Sequence, residues 1–98
     1  MGEKEQFELA LQKPCIIIAK SDNDILAIDD IAYNKGIDHR MVIKPRAFGA
    51  SCGAALKLFS FHDALTVMKI AKAQGIECFT AWRENNSWIR YRAAMVQW

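Results

Sequence analysis

The chain has little of what the common catalytic and binding devices require. Its three cysteines, Cys15, Cys52 and Cys78, form no CxxC pair and cannot all be paired internally, which argues against a disulfide framework and suits a reducing compartment. With histidine only at His39 and His62, no ligand set stands at metal-binding spacing, so no metal is expected. No Gly-rich loop follows a strand with a lysine and a serine or threonine behind it, and no acidic pair stands out; phosphoryl transfer and hydrolysis lack their signs. The longest aliphatic run, Cys15 to Ala19, is far short of a membrane span, and the charged opening Met1 to Gln6 has no signal-like apolar core. A formal net charge of +2 does not announce a polyanion partner. The expectation is a soluble cytoplasmic protein with no membrane partner.

What is present suits one domain: 98 residues, 52% of them hydrophobic, enough for a modest core. Residues 1–14 form an N-terminal arm, polar with apolar positions at Phe7, Leu9 and Leu11 and closed by Pro14. Cys15-Ile16-Ile17-Ile18-Ala19 is β-branched and apolar on both faces, as a central strand covered by helices would be. Ser21 reads as a helix N-cap, with Asp22 and Asp24 in the first turn where the helix dipole favours negative charge. Ile25, Ile28, Ile31 and Ala32 recur at helical spacing and Gly36 supplies the stop, so residues 22–35 form a helix with one buried stripe. Ile37 to Ile43 resumes as a strand that ends before Pro45.

The second half repeats the first. A shift of 39 residues places Ser21 on Ser60, Asp24 on Asp63, Leu26 on Leu65, Ile31 on Ile70, Ala32 on Ala71 and Gly36 on Gly75. It also places strand Cys15 to Ala19 on Ala54 to Leu58, and Ile37 to Ile43 on Ile76 to Trp82. Two strand-helix-strand units of equal length predict an α+β fold, the ferredoxin-like βαββαβ sandwich: a four-stranded antiparallel sheet with two helices on one face. The domain spans residues 15–84, with residues 85–98 as a C-terminal extension, read as a hairpin strand or a short helix.

That topology makes residues 44–53 the hairpin link between the second and third strands, and here lies the one stretch that a core does not explain: Pro45-Arg46-Ala47-Phe48-Gly49-Ala50-Ser51-Cys52-Gly53. Gly49 and Gly53 bracket Cys52 with small neighbours, and Lys44 and Arg46 lie just upstream, where positive charge favours thiolate over thiol. The competing reading is a turn that holds a small buried cysteine. Helix 2 starts at the opposite end of the sheet, so His62 is a poor partner for Cys52 and reads as an exposed first-turn residue. His39 reads as a satisfied surface histidine. Cys15 and Cys78 fall within strands and read as core thiols.

Pro45-Arg46, then Ser51, Cys52-Gly53 and Ala55-Leu56, preceded by a helix ending in Gly36-Ile37, resemble the small selenium/sulfur carrier-like family, whose pattern is close to Pro-Arg-x-x-Ser-Ser-Ser-Cys-Gly-x-Ala-Leu. The resemblance covers roughly residues 15–82 and departs at Gly49 and Ala50, where serines are common. It implies Cys52 as the functional thiol, with Arg46, Ser51, Gly53 and Gly49 in support. It also implies a carrier more than an enzyme: no cofactor, but sulfur or selenium held on Cys52 as a persulfide or selenosulfide between a donor and an acceptor protein. The alternative is a non-catalytic regulatory or interaction subunit of an enzyme complex, and a homodimer stays open.

The C-terminal extension is the second informative stretch. Asn85-Asn86 tolerates a tight turn, and Ser87-Trp88-Ile89-Arg90-Tyr91-Arg92 alternates like a strand, giving a β-hairpin; a short helix through Ala93 to Val96 is the alternative. Trp82, Trp88 and Trp98 with Arg83, Arg90 and Arg92 resemble an aromatic and basic surface, read here as a protein interface rather than a nucleic-acid site. A hairpin would bring Met95 to Trp98 back towards Cys52, where they would shield the thiol.

Overall fold

β1 (Cys15–Ala19) is the strand on which the fold is built, because it alone contacts both halves of the sheet. In the computed structural model, which describes residues 14–49 and 53–91, β1 is followed by α1 (Asp22–Asn34), β2 (His39–Ile43), a 3₁₀ turn (Arg46–Phe48), β3 (Ala54–Leu58), α2 (Phe61–Ala73), β4 (Cys78–Glu84) and β5 (Ser87–Arg90). The strand order is β2-β3-β1-β4-β5 and every pairing is antiparallel. This is the ferredoxin-like α+β sandwich with one added strand.

Both helices start alike. The hydroxyl of Ser21 accepts the Asp24 N–H at 3.2 Å, and that of Ser60 accepts the Asp63 N–H at 3.2 Å. Each hydroxyl satisfies one of the N–H groups that a first helical turn leaves without a partner. Both helices also end alike, at Gly36 with φ +68° and Gly75 with φ +82°. There the N–H of Ile37 returns to Ala32 O and that of Ile76 to Ala71 O, each 3.0 Å long. This helix-end bonding corrects two strand boundaries. Ile37 and Ile76 belong to the helix stops rather than to the ladder, so β2 begins at His39 and β4 at Cys78.

Alternation sorts the strand residues between two faces. Cys15, Ile17, Leu56, Leu58 and Trp82 face the helices and meet Ile25, Ile28, Ile31, Phe61, Leu65, Val67 and Met68 in the main core. Ile16, Ile18, Ala55 and Ala81 face the other way, under Val42, Phe48, Phe79 and Trp88. The buried Thr80 hydroxyl donates to Ile16 O at 2.9 Å, so this polar group in the centre of the sheet is satisfied.

The tail forms the hairpin expected of it. Asn85 and Asn86 have φ +51° and +64°, the paired left-handed geometry of a two-residue turn whose twist matches that of the strands. Trp88 then lies opposite Arg83 and Ile89 opposite Trp82. The grouping of Trp82 with a surface patch is corrected: it is 1% exposed, on the helix side, edge-to-face with Phe61 at 5.1 Å. Residues 1–13, the alternative helix at 93–96 and the shield at Met95 to Trp98 lie outside the described residues.

Candidate functional site

The link between β2 and β3 is built from its two ends inward. Its base closes where the Lys44 N–H donates to Gly53 O at 2.7 Å, extending the β2–β3 ladder beyond Ile43↔Ala54. Pro45, with φ −62°, sets the chain into a single 3₁₀ turn, in which Phe48 N–H reaches Pro45 O at 3.0 Å and Gly49 N–H reaches Arg46 O at 3.1 Å. That turn lays Phe48 onto the helix-free face of the sheet. Its ring stands edge-to-face on Phe79 at 5.5 Å and on Trp88 at 5.4 Å, which anchors the loop to β4 and β5.

The far end is held from α1. The N–H of Ala54 donates to Asp22 Oδ1 at 3.0 Å, so the first residue of the first helix fixes the first residue of β3. The start of α1 and the link between β2 and β3 therefore share one end of the sheet. The sequence showed Asp22 only as a favourable charge in a helix's first turn; its bond to a residue 32 positions away has no local signal.

Between these two ends sits Lys44. A Cβ built on Gly49 would lie 3.1 Å from Lys44 Nζ, and one on Gly53 would lie 3.7 Å from it, so the ammonium rests against both glycines that bracket the loop. Gly49 itself has φ +148° and ψ +148°, a backbone region that residues with a Cβ rarely enter. Ser51 and Cys52 lie outside the described residues. Arg46 is exposed on the 3₁₀ turn, and among the described residues neither Lys44 nor Arg46 has a carboxylate in ion-pair range. Sequence reasoning had counted Lys44 only as nearby charge. Its place between two glycines was readable only as the start of a hairpin link.

Beside the loop an open cleft of about 430 Å³ runs over the end of β1 towards β4 and β5. Ile18 and Phe79 are among its apolar lining, with Phe48; Lys20, Lys44, Arg90 and Glu77 are its charged lining. Arg90 stacks over the Phe79 ring at 3.7 Å from its centroid. Phe48 and Arg90 thus both pack on Phe79, which remains half-buried in the cleft lining.

The remaining candidates are used elsewhere in the fold. Burial pushes the Cys15 thiol up to about 12, so it is a protonated core group at neutral pH. Cys78 is half-buried at the start of β4, opposite Ala19. Burial raises its pKa most, Lys72 opposes that rise and Asp24 adds to it. His39 Nε2 lies 2.9 Å from Asp29 and its Nδ1 lies 2.7 Å from Ile37 O, so it ties β2 to α1 with neither nitrogen left for chemistry. The His62 side chain is 79% exposed, in the first turn of α2 as expected. Among the described residues no three His, Cys, Asp or Glu side chains cluster as metal ligands would, and no helix is long and apolar enough to cross a membrane.

Comparison with known proteins adds one finding. The sequence model of a family described as "Putative Se/S carrier protein-like" matches residues 14–82, more than two thirds of the chain and all of β1 through most of β4. No curated protein and no solved structure matches it.

Proposed function

Because the chain belongs to this Se/S carrier-like family, we propose that it carries sulfur or selenium on Cys52 between a donor and an acceptor protein. The observation that supports this most is the Lys44 ammonium resting against Gly49 and Gly53, the two residues between which the Cys52 segment is strung. A cation at that place favours the thiolate, the form that attacks a donor, and favours the anionic persulfide once formed. Arg46 adds a second cation from the 3₁₀ turn, Ser51 a hydroxyl, and Gly49 and Gly53 room for a partner to approach.

The step needs no outside oxidant. The Cys52 thiolate attacks the outer sulfur of a donor persulfide, R–S–SH; the donor S–S bond breaks, R–S⁻ leaves, and Cys52–S–SH remains. A donor R–S–SeH gives Cys52–S–SeH by the same exchange. A nucleophile on the acceptor then takes the outer atom and Cys52 leaves as thiolate. No reaction on the protein itself is completed, so the chain acts as carrier rather than enzyme.

The second reading, a non-catalytic interaction subunit, draws on one feature. Four of the exposed large apolar side chains, Leu26, Tyr33, Met41 and Ile43, lie on α1 and the edge strand β2, away from β4 and β5. Intact-mass measurement of the protein isolated from its own cells tests both readings. A reductant-labile added mass of one sulfur or selenium, mapped to Cys52 and lost in Cys52→Ser, is the expected result. An unmodified Cys52 that also alkylates more slowly than Cys15 and Cys78 would reject the carrier and leave the subunit reading.

A further inference from the structure

The fold gathers cations that the chain scatters. Strand alternation puts Arg40, Lys57, Arg83 and Arg90 on the helix-free face of the sheet, with Val42, Ala55, Ala81 and Trp88. Register aligns three of them: Arg40 lies opposite Lys57, Lys57 opposite Ile16, Ile16 opposite Ala81 and Ala81 opposite Arg90, a single row from edge to edge. Four strand spacings make that row about 19 Å long. No strand residue on this face is acidic. The one carboxylate within the strands, Glu84, is on the helix side, where it accepts the Trp82 Nε1–H at 3.4 Å. Among the described residues none of the four cations has an ion-pair partner. Arg40 and Lys57, directly opposite each other, form a like-charge pair that costs the sheet stability. An anion bound across both would offset that cost.

Aromatic rings hold three of the cations. Lys57 Nζ stands 5.5 Å from the centroid of Phe59, the Arg83 guanidinium 5.5 Å from that of Trp88 and the Arg90 guanidinium 3.7 Å from that of Phe79. A ring positions a cation through its quadrupole and leaves the charge unneutralised. Phe59 is 44% exposed, and Phe79 and Trp88 are half-buried, so the face offers ring surface and positive charge side by side. Phosphates suit the charge and unstacked bases suit the rings. That combination favours a nucleic-acid single strand over a patch of carboxylates, which uses the cations only, and over a duplex, whose bases are already stacked.

We propose that the helix-free face binds single-stranded nucleic acid, with phosphates along the row from Arg40 to Arg90 and bases against the rings of Phe59 and Trp88. The net charge of +2 hid this face, because its cations are spread from position 40 to position 90. The tail alone reads as a protein surface; Arg40 and Lys57 on the same face extend it into a basic track. The proposal is independent of the carrier reading and uses no residue of the β2–β3 link.

Fluorescence anisotropy of the reduced full-length protein with labelled thymidine and uridine strands, each about twelve nucleotides long, tests this over a series of salt concentrations. The expected result is binding that weakens with salt, with a logarithmic slope of about 0.7 for each cation engaged. Arg40→Gln and Arg90→Gln, at opposite edges, should each weaken low-salt binding roughly three- to ten-fold and flatten the slope by about 0.7. Phe59→Leu should weaken binding roughly ten-fold with the slope unchanged, which separates stacking from charge. The urea midpoint of Arg40→Gln should be no lower than that of wild type, since the substitution relieves a like-charge pair; lost binding there is then not lost fold. Whichever strand binds more tightly identifies RNA or DNA as the source. Absence of binding at low salt would overturn the proposal, as would equal affinity in wild type and a variant carrying both arginine substitutions, or a duplex that binds as tightly as the single strand. Displacement of the strands by poly-L-glutamate as effectively as by unlabelled strand of equal charge would overturn it too, and would assign the face to an acidic protein. None of these results bears on sulfur or selenium at Cys52.

Discussion

The two halves of the chain are the same sentence written twice and used differently. Under the shift of 39 residues, Asp22 corresponds to Phe61 and Ile43 to Trp82. Asp22 opens α1 and spends its carboxylate on the N–H of Ala54. Phe61 opens α2 and is wholly buried, packed edge-to-face on Trp82 and, at 5.3 Å, at a tilt against Tyr91. Ile43 ends β2 at the sheet edge with 82% of its surface exposed, where Trp82 in β4 is 1% exposed. The backbone repeats because caps, glycine stops and strand lengths repeat. The environments do not, because β4 lies between β1 and β5 whereas β2 has β3 on one side only. The second half supplies the anchor of the core. The first half, less enclosed, supplies the end of the sheet from which the cysteine loop is hung.

The sharpest way to break this comparison is to truncate the paired positions. Trp82→Ala should cost about 3–5 kcal/mol, the range for removing a large buried aromatic, while Ile43→Ala should stay within about 0.5 kcal/mol, as for an exposed site. Urea unfolding of both variants decides it, and a costly Ile43→Ala would mean that this edge is covered in solution.

A smaller effect separates the first strands. Cys15 corresponds to Ala54, so only the first half buries a titratable group at that position. Its folded-state pKa is raised from 9.0 to about 12 by burial, so the unfolded chain ionises first. Its stabilising contribution is complete below about pH 9 and is lost as pH rises towards 12. Within that window stability should fall by up to about 1.4 kcal/mol per pH unit through this group. Cys15→Ala, which installs the residue of the second half, should flatten that part of the slope. Identical slopes for wild type and variant between pH 9 and 11 would contradict the burial of the thiol.

The smallest effect should be an equality. Ser21 and Ser60 cap their helices with the same bond at the same length, so Ser21→Ala and Ser60→Ala should each lower stability by about 1 kcal/mol. A large difference between their unfolding midpoints would show that one cap also holds something beyond its helix.

These contrasts show what a sequence reader can and cannot recover here. Element types and order were legible because they depend on local signals: a serine before each helix, a glycine after it, and an asparagine pair that turns β4 into β5. The first and third strands matched to the residue, since apolar runs with sharp polar borders leave no choice. Trp82 was misplaced because its neighbours in sequence, Arg83 and Glu84, look like surface. Its strand parity with Thr80 and Cys78 turns it to the helices. The anchoring of the loop by Phe48 and its clasp by Asp22 depend on residues more than thirty positions away, which no window along the chain contains. The one local hint was Phe48 itself, a large apolar residue among small and polar ones.

The geometry at Gly49 also sets what this position tolerates. A side chain there would meet the tip of Lys44, whose Nζ lies 3.1 Å from a Cβ built on the glycine. That tip is the free end of a long chain and can give way by a few tenths of an ångström at little cost. The backbone cannot yield so easily, because a φ of +148° strains any residue that carries a Cβ. Conformation, more than crowding, reserves the position for glycine.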